Sequence, residues 1–169
     1  MKHQKIIKEL SRNKEVFKYL LKGIKKEKYL WKFEPAKWCL LEIVCHLFDE
    51  ECEDFRIRTK LVLQDPNLKL PSFDPTSCVK DRAYLDQNYN EKLHNFLNER
   101  EQSIDWLKSL KNPKWSNAYE HPKFGAMSAS LFLSNWLAHD YLHIKQIMAL
   151  KYKFLEEFSG EPLKYAGGW

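Results

Sequence analysis

The run His139-Asp140-Tyr141-Leu142-His143 sets two imidazoles four residues apart. On a helix that spacing puts both on one face, one turn apart, where they can grip a single metal ion. It is not a zincin motif, because Asp140 stands where the glutamate base would be. The stripe around the pair is polar: Ser128, Phe132, Asn135, His139, His143 and Gln146 follow at helical spacing, flanked by Leu131, Trp136, Ile147 and Leu150. Those apolar flanks turn the row inward. A buried polar row needs partners to offset its desolvation, and a metal ion is one such partner.

A third imidazole comes from an earlier stripe, Glu42, His46, Asp49 or Glu50, and Glu53, flanked by Trp38, Leu41, Ile43, Leu47 and Phe48. His46, His139 and His143 are therefore the expected ligands of one divalent metal ion per chain. Three neutral imidazoles leave a coordination position open, as catalytic sites do. A thiol bound there would lose its proton, and a bound water could become a hydroxide. Asp49 and Glu50 are the candidates for orienting an imidazole or taking a proton. Asn135, Gln146, Glu42 and His121 are further candidates for the surroundings of the site. Arg100 sits on an apolar stripe between Phe96, Leu97 and Ile104. A buried guanidinium requires an acidic partner, and Glu42, Glu50 or Glu53 is expected to supply it.

These side chains need long elements to bring them together, and four helical patterns are present. Ile6, Leu10, Phe17, Leu21 and Ile24 mark the first, which runs to about residue 26. The second runs from near Lys37 to about Gln64, where Asp65-Pro66 breaks it. Leu85, Tyr89, Leu93, Phe96, Ile104 and Leu107 mark the third, to about Leu110. The fourth opens near Ser128 and runs to about Tyr152. Residues 65–82, with Pro66, Pro71 and Pro75, read as a long crossover loop, and Pro113, Trp115, Pro122 and Gly125 mark another. The expected fold is all-α, a four-helix bundle with long crossover loops, forming one domain over residues 1–169. Residues 153–169 are expected to be a tail that docks Leu163, Tyr165 and Trp169 on the bundle, walling one side of the metal pocket.

Composition narrows the function classes. The chain has 169 residues, 44% hydrophobic and 30% charged, which excludes disorder as its general state. Five glycines and 7 prolines leave little room for a turn-rich all-β fold. No stretch approaches the ~20 apolar residues of a membrane span, and Met1-Lys2-His3-Gln4-Lys5 leads into an amphipathic segment. A cytoplasmic location is expected, with no membrane partner. Cys39, Cys45, Cys52 and Cys78 form no CxxC pair and read as reduced thiols. The net charge of +5 is uneven, with +7 in residues 1–28. Those lysines flank an apolar stripe, so they read as the wet face of a helix and not as a nucleic-acid surface. Aromatics at 14% could line a pocket for a small organic substrate.

The chain resembles the DinB-like superfamily of small metal-binding four-helix bundles. Trp38, Glu42-Ile43, His46-Leu47 and Asp49-Glu50, continued by Glu53-Asp54-Phe55-Arg56-Ile57-Arg58, are similar to that family's second-helix signature. His121-Pro122-Lys123-Phe124-Gly125, followed by Trp136, His139-Asp140, His143 and Gln146, is similar to its fourth-helix signature. The closing Tyr165-Ala166-Gly167-Gly168-Trp169 resembles the ending of one branch. The resemblance implies a divalent ion on His46, His139 and His143, nickel or zinc, and a homodimer. It also implies kinship with thiol S-transferases, which join a low-molecular-weight thiol to an electrophile. The expected function is thus a metal-dependent thiol transferase or hydrolase acting on a small electrophile. The alternative is a non-catalytic or stress-response bundle with a structural metal. The family name refers to induction of a gene by DNA damage and implies no DNA binding.

Overall fold

The computed structural model describes residues 2–167. Four long helices form an all-α bundle. Helix α1 spans Lys2–Leu21 and buries Ile7, Leu10, Phe17 and Leu21 along one stripe. A single turn, Lys26–Tyr29, follows, and Tyr29 stacks on Tyr89 at 4.3 Å between ring centroids. The Tyr89 hydroxyl donates to the Leu21 carbonyl at 2.7 Å, satisfying an acceptor left free at the end of α1.

Helix α2 is continuous over residues 40–64 but has three parts: Leu40–Glu50, a π-helical turn Glu51–Phe55, and Arg56–Gln64. It opens with a capping box, in which the Cys39 backbone N–H donates to Glu42 at 2.8 Å. Nearly every residue of its first part is buried, so this is the central helix around the site. Helix α3 spans Tyr89–Ser109, capped by the Asn88 side chain, which accepts from the Glu91 N–H at 3.1 Å. Helix α4 spans Ala129–Ser159, capped in the same way by Ser128 through the Leu131 N–H. Around the bundle, α1 touches α3 and α4, while α2 touches α3 and α4. His46 on α2 therefore faces the seam that α4 closes.

Helix α1 ends at Leu21 and not near residue 26, since Gly23 takes a left-handed φ of 75°, and four further features differ from the sequence expectation. The crossover after α2 is not all loop: Pro75–Asp81 is helical, started by the Asp74 side chain accepting from the Thr76 N–H at 2.9 Å. Helix α3 begins at Tyr89 and not at Leu85, because a short 3-10 turn, Tyr84–Asp86, precedes it. The loop before α4 contains a hairpin, β1 (Ala118–His121) paired antiparallel with β2 (Gly125–Ser128), in register Ala118 to Ser128. Helix α4 continues seven residues past Tyr152, to Ser159, since nothing between Lys153 and Phe158 breaks a helix. It stops at Gly160, whose φ of 66° is the left-handed cap conformation.

The tail thus begins at Gly160 and not at residue 153. Leu163 is half-buried, but Tyr165 is fully exposed and so does not dock on the bundle. Trp169 lies outside the described residues. Among the described residues, no helix is long and apolar enough to cross a membrane.

Candidate metal centre

His46 lies in the buried first part of α2, and His139 and His143 lie one turn apart on α4. The structure brings the three rings together. The Nε2 of His139 is 3.1 Å from the Nε2 of His46 and 3.1 Å from the Nε2 of His143. The potential ligand atoms of all three lie within 4.8 Å of one another. Two nitrogens each about 2.1 Å from a shared ion are about 3.0 Å apart at a right angle and about 3.4 Å apart in a tetrahedron. Both separations from His139 fall in that interval, and the full set lies within 4.8 Å, close enough for small side-chain shifts to gather the three residues around one ion.

The tautomers fit as well. Gln146 Oε1 lies 2.8 Å from His143 Nδ1, so the His143 proton sits on Nδ1 and its Nε2 presents a lone pair. Burial drives the charged form out of all three rings. His46 is pushed down to about 3, mainly by desolvation and then by His143. His139 falls to about 2, by desolvation first and then by His143, His46 and Arg100. His143 is also lowered by desolvation, partly opposed by Gln146 and Asp140. Neutral imidazole is the ligating form. Within the triad, His46 Nδ1 is buried without a hydrogen-bond partner, and Trp38 packs on the His46 ring at 4.9 Å between centroids. Phe55 covers His139 from the other side, at 5.0 Å between centroids.

Of the two carboxylate candidates, only Glu50 reaches the triad. Its Oε1 is 3.9 Å from His46 Nε2, and burial raises its carboxyl to about 8, with help from Asp54 and Asp49. Asp49 points elsewhere: it accepts from the Tyr84 hydroxyl at 2.6 Å and pairs with Arg82 at 3.0 Å. Glu42 is taken up by the α2 cap and by Lys32 at 2.8 Å. Asn135 is exposed and donates to the Leu131 carbonyl of its own helix. His121 sits in the hairpin turn, where its Nδ1 accepts from the Lys123 and Phe124 N–H groups.

Arg100 is buried, but its partners are not Glu42, Glu50 or Glu53. Its Nε donates to Glu51 at 2.9 Å, and its two terminal nitrogens clasp Asp140 at 2.7 and 2.8 Å. Trp136 Nε1 also donates to Glu51 at 3.0 Å, and Asn13 Nδ2 to Asp140 at 3.1 Å. The π turn explains the shift. Its extra residue moves Glu51 and Phe55 onto the inner face and turns Glu53 outward, where Arg82 holds it at 2.6 Å. Asp140 was visible in the sequence only as the residue after His139. That one step turns it about 100° from the ligand face, into the core between α1 and α3.

The family model described as the DinB superfamily matches residues 9–147. That stretch holds the three histidines of the triad, the whole of α2 and α3, and most of α1 and α4.

This chain belongs to the DinB superfamily.

Among solved structures it is similar to YfiT from Bacillus subtilis, with a TM-score of 0.79 and 17% identity. The match covers 90% of this chain and 87% of YfiT. YfiT is described as a probable metal-dependent hydrolase with an unusual four-helix bundle topology. At that identity the likeness establishes the shared fold. No curated protein matches the chain. The DinB bundle here accounts for the order of contacts around the seam, with α2 and α4 as the pair that carries the histidines.

Proposed function

We propose that this DinB-superfamily chain is a metal-dependent enzyme acting on a small electrophilic substrate. His46, His139 and His143 hold one divalent ion, nickel or zinc. The observation that carries the reading is the convergence of three neutral imidazoles, with His139 Nε2 3.1 Å from both others, two rings buried and the third half-buried, and the His143 tautomer set by Gln146. A divalent ion held there supplies an open Lewis-acidic position that lowers the pKa of a bound water or thiol.

The chain's own residues do the rest. Gln146 fixes the His143 ring through Nδ1. Trp38 and Phe55 bracket the rings of His46 and His139 and keep bulk water from them. Glu50 lies 3.9 Å from the metal-facing nitrogen of His46; the charge of a bound divalent ion would favour its carboxylate form, which could then take a proton from an entering nucleophile. Hydrolysis and transfer of a low-molecular-weight thiol share this requirement and differ only in the nucleophile admitted. The description of YfiT supports the hydrolytic form.

The test is elemental analysis of the purified protein, followed by turnover assays with aryl esters and with thiol plus electrophile. One nickel or zinc per chain is expected, with turnover abolished by a chelator and restored by the metal. Stoichiometric metal with no turnover on either substrate set would favour a structural ion. Absence of bound metal would overturn the reading.

A further inference from the structure

A cavity of about 150 Å³ lies between the segment entering α2 and the later half of α4. Phe33, Trp38, Gln146, Ala149 and Leu150 line it, and its two charged lining residues are Lys37 and Lys153. Two of the lining residues also touch the metal centre. Trp38 packs on the His46 ring, and Gln146 bonds to His143. The cavity therefore lies next to the site and shares two wall residues with it.

Its chemistry is one-sided. Trp38, Ala149, Leu150 and Phe33 are apolar, and no carboxylate lines it. Lys37 forms no ion pair among the described residues, and Lys153 shares its charge with Glu156 at 2.7 Å while lying over the Phe33 ring. A cavity of this size admits a benzene-sized group. Residues 149–153 lie six to ten positions beyond His143 on α4, which is about 9–15 Å along the helix axis. A molecule that reaches from the triad to the lysines must span that distance. It must also present an apolar body to Trp38 and Leu150 and a negative end to two ammonium groups.

We propose that this cleft is the specificity pocket of the metal centre and selects elongated monoanions, with a carboxylate at Lys37 and Lys153 and an aryl or alkyl body against Trp38 and Leu150. The proposal rests on the metal-dependent reading above for its reacting end, but the pocket itself contains no metal ligand.

Calorimetric titration tests it, with 4-phenylbutyrate, 4-phenylbutylamine and butyrate as probes, on metal-loaded and on chelator-treated protein. The aryl acid should bind at least tenfold tighter than the amine, and butyrate should give no measurable binding. Ala149→Trp, which fills the cavity, should lose the aryl acid at least tenfold. The exposed double variant Lys37→Glu with Lys153→Glu should lose it similarly and favour the amine, so the test survives if Ala149→Trp fails to fold. Metal content, read by elemental analysis, should match wild type in both variants. Equal binding of acid and amine, or acid binding that survives the double variant, would overturn the pocket. Protein that takes up one metal yet ignores the aryl acid defeats the pocket alone. Protein that binds the acid but holds no metal defeats only the metal-dependent reading.

Discussion

Arg100 is almost wholly buried between Glu51 and Asp140, so its removal would strand two carboxylates inside the bundle. Arg100→Ala should cost about 3–5 kcal/mol, seen as a fall of roughly 10 °C or more in melting temperature. Melting at the wild-type temperature would mean the guanidinium is solvated. The histidines answer to a different measurement. His46→Ala, His139→Ala and His143→Ala should each reduce bound metal to well under half of wild type by elemental analysis, since two imidazoles hold an ion far more weakly than three. Full stoichiometry in all three variants would remove the triad as ligands. Protons act on the metal-free protein through the same rings. Their folded values lie below the ordinary 6.5, so the unfolded chain takes up protons first, and stability falls as pH drops from about 6.5 towards 3. Glu50 works in the opposite direction. Its folded value of about 8 exceeds the ordinary 4.5, so its contribution is complete below 4.5 and is lost as pH rises towards 8. Three rings outweigh one carboxyl, so urea unfolding of metal-free protein should show stability rising with pH to a maximum near about pH 6.5–7 and falling towards pH 8. A flat profile from pH 4 to 8 would place these groups in water.

The π turn in α2 absorbs an extra residue and leaves the helix on either side of it in phase. It holds one residue more than an α-helical turn would, and it lies immediately after Glu50. Before the turn, Glu50 lies beside His46; at its start Glu51 accepts from Arg100, and at its end Phe55 stacks on Trp136 at 5.9 Å between centroids. Deleting Cys52 from the turn should convert it to regular helix without rotating either flank, so the variant should fold and keep its metal. Deleting Leu137 from the regular helix α4 should turn His139 and His143 by about 100° relative to Trp136 and abolish metal binding. Circular dichroism with elemental analysis separates the two. Loss of metal from the Cys52 deletion would show that the turn does not simply absorb an extra residue, and retention in the Leu137 deletion would show that the phase of α4 does not place the ligands.

At the scale of the molecule, the ion would join α2 to α4, helices separated by about 90 residues of sequence. A ligand present at about a thousand times its Kd stabilises the folded state by about 4 kcal/mol. For a chain of this size that is roughly 8–16 °C. Scanning calorimetry with and without chelator should show a drop of that order, reversed by adding metal back. An unchanged melting temperature would mean that no ion bridges the seam. The lysines of α1 lie outside this seam and mostly on an exposed face, as their spacing beside the apolar stripe implies.

Helical periodicity is a local property, and the four long helices, the inward face of α4 and the three histidines on facing stripes were legible from it. Polar residues flanked by large apolar ones at helical spacing tend to face inward, which held for His46, His139 and His143, while Asn135 on the same stripe is exposed. Gln146 was legible for the same reason, three residues past His143. What the stripes do not encode is phase across an irregular turn and the identity of a partner on another helix. The extra residue in Glu51–Phe55 moved Glu53 outward and brought Glu51 in, so Arg100 found partners that the regular 3.6-residue period had not pointed to. Asp49 went to Tyr84 and Arg82, because the loop after α2 folds back over it, and loop paths have no period to read. The hairpin at Ala118–Ser128 and the extra turns of α4 to Ser159 likewise depended on tertiary contacts and on the stop at Gly160. The choice of Glu50 over Asp49 beside His46 was the same kind of decision: the two differ by one residue, about 100° of rotation, and only packing selects between them.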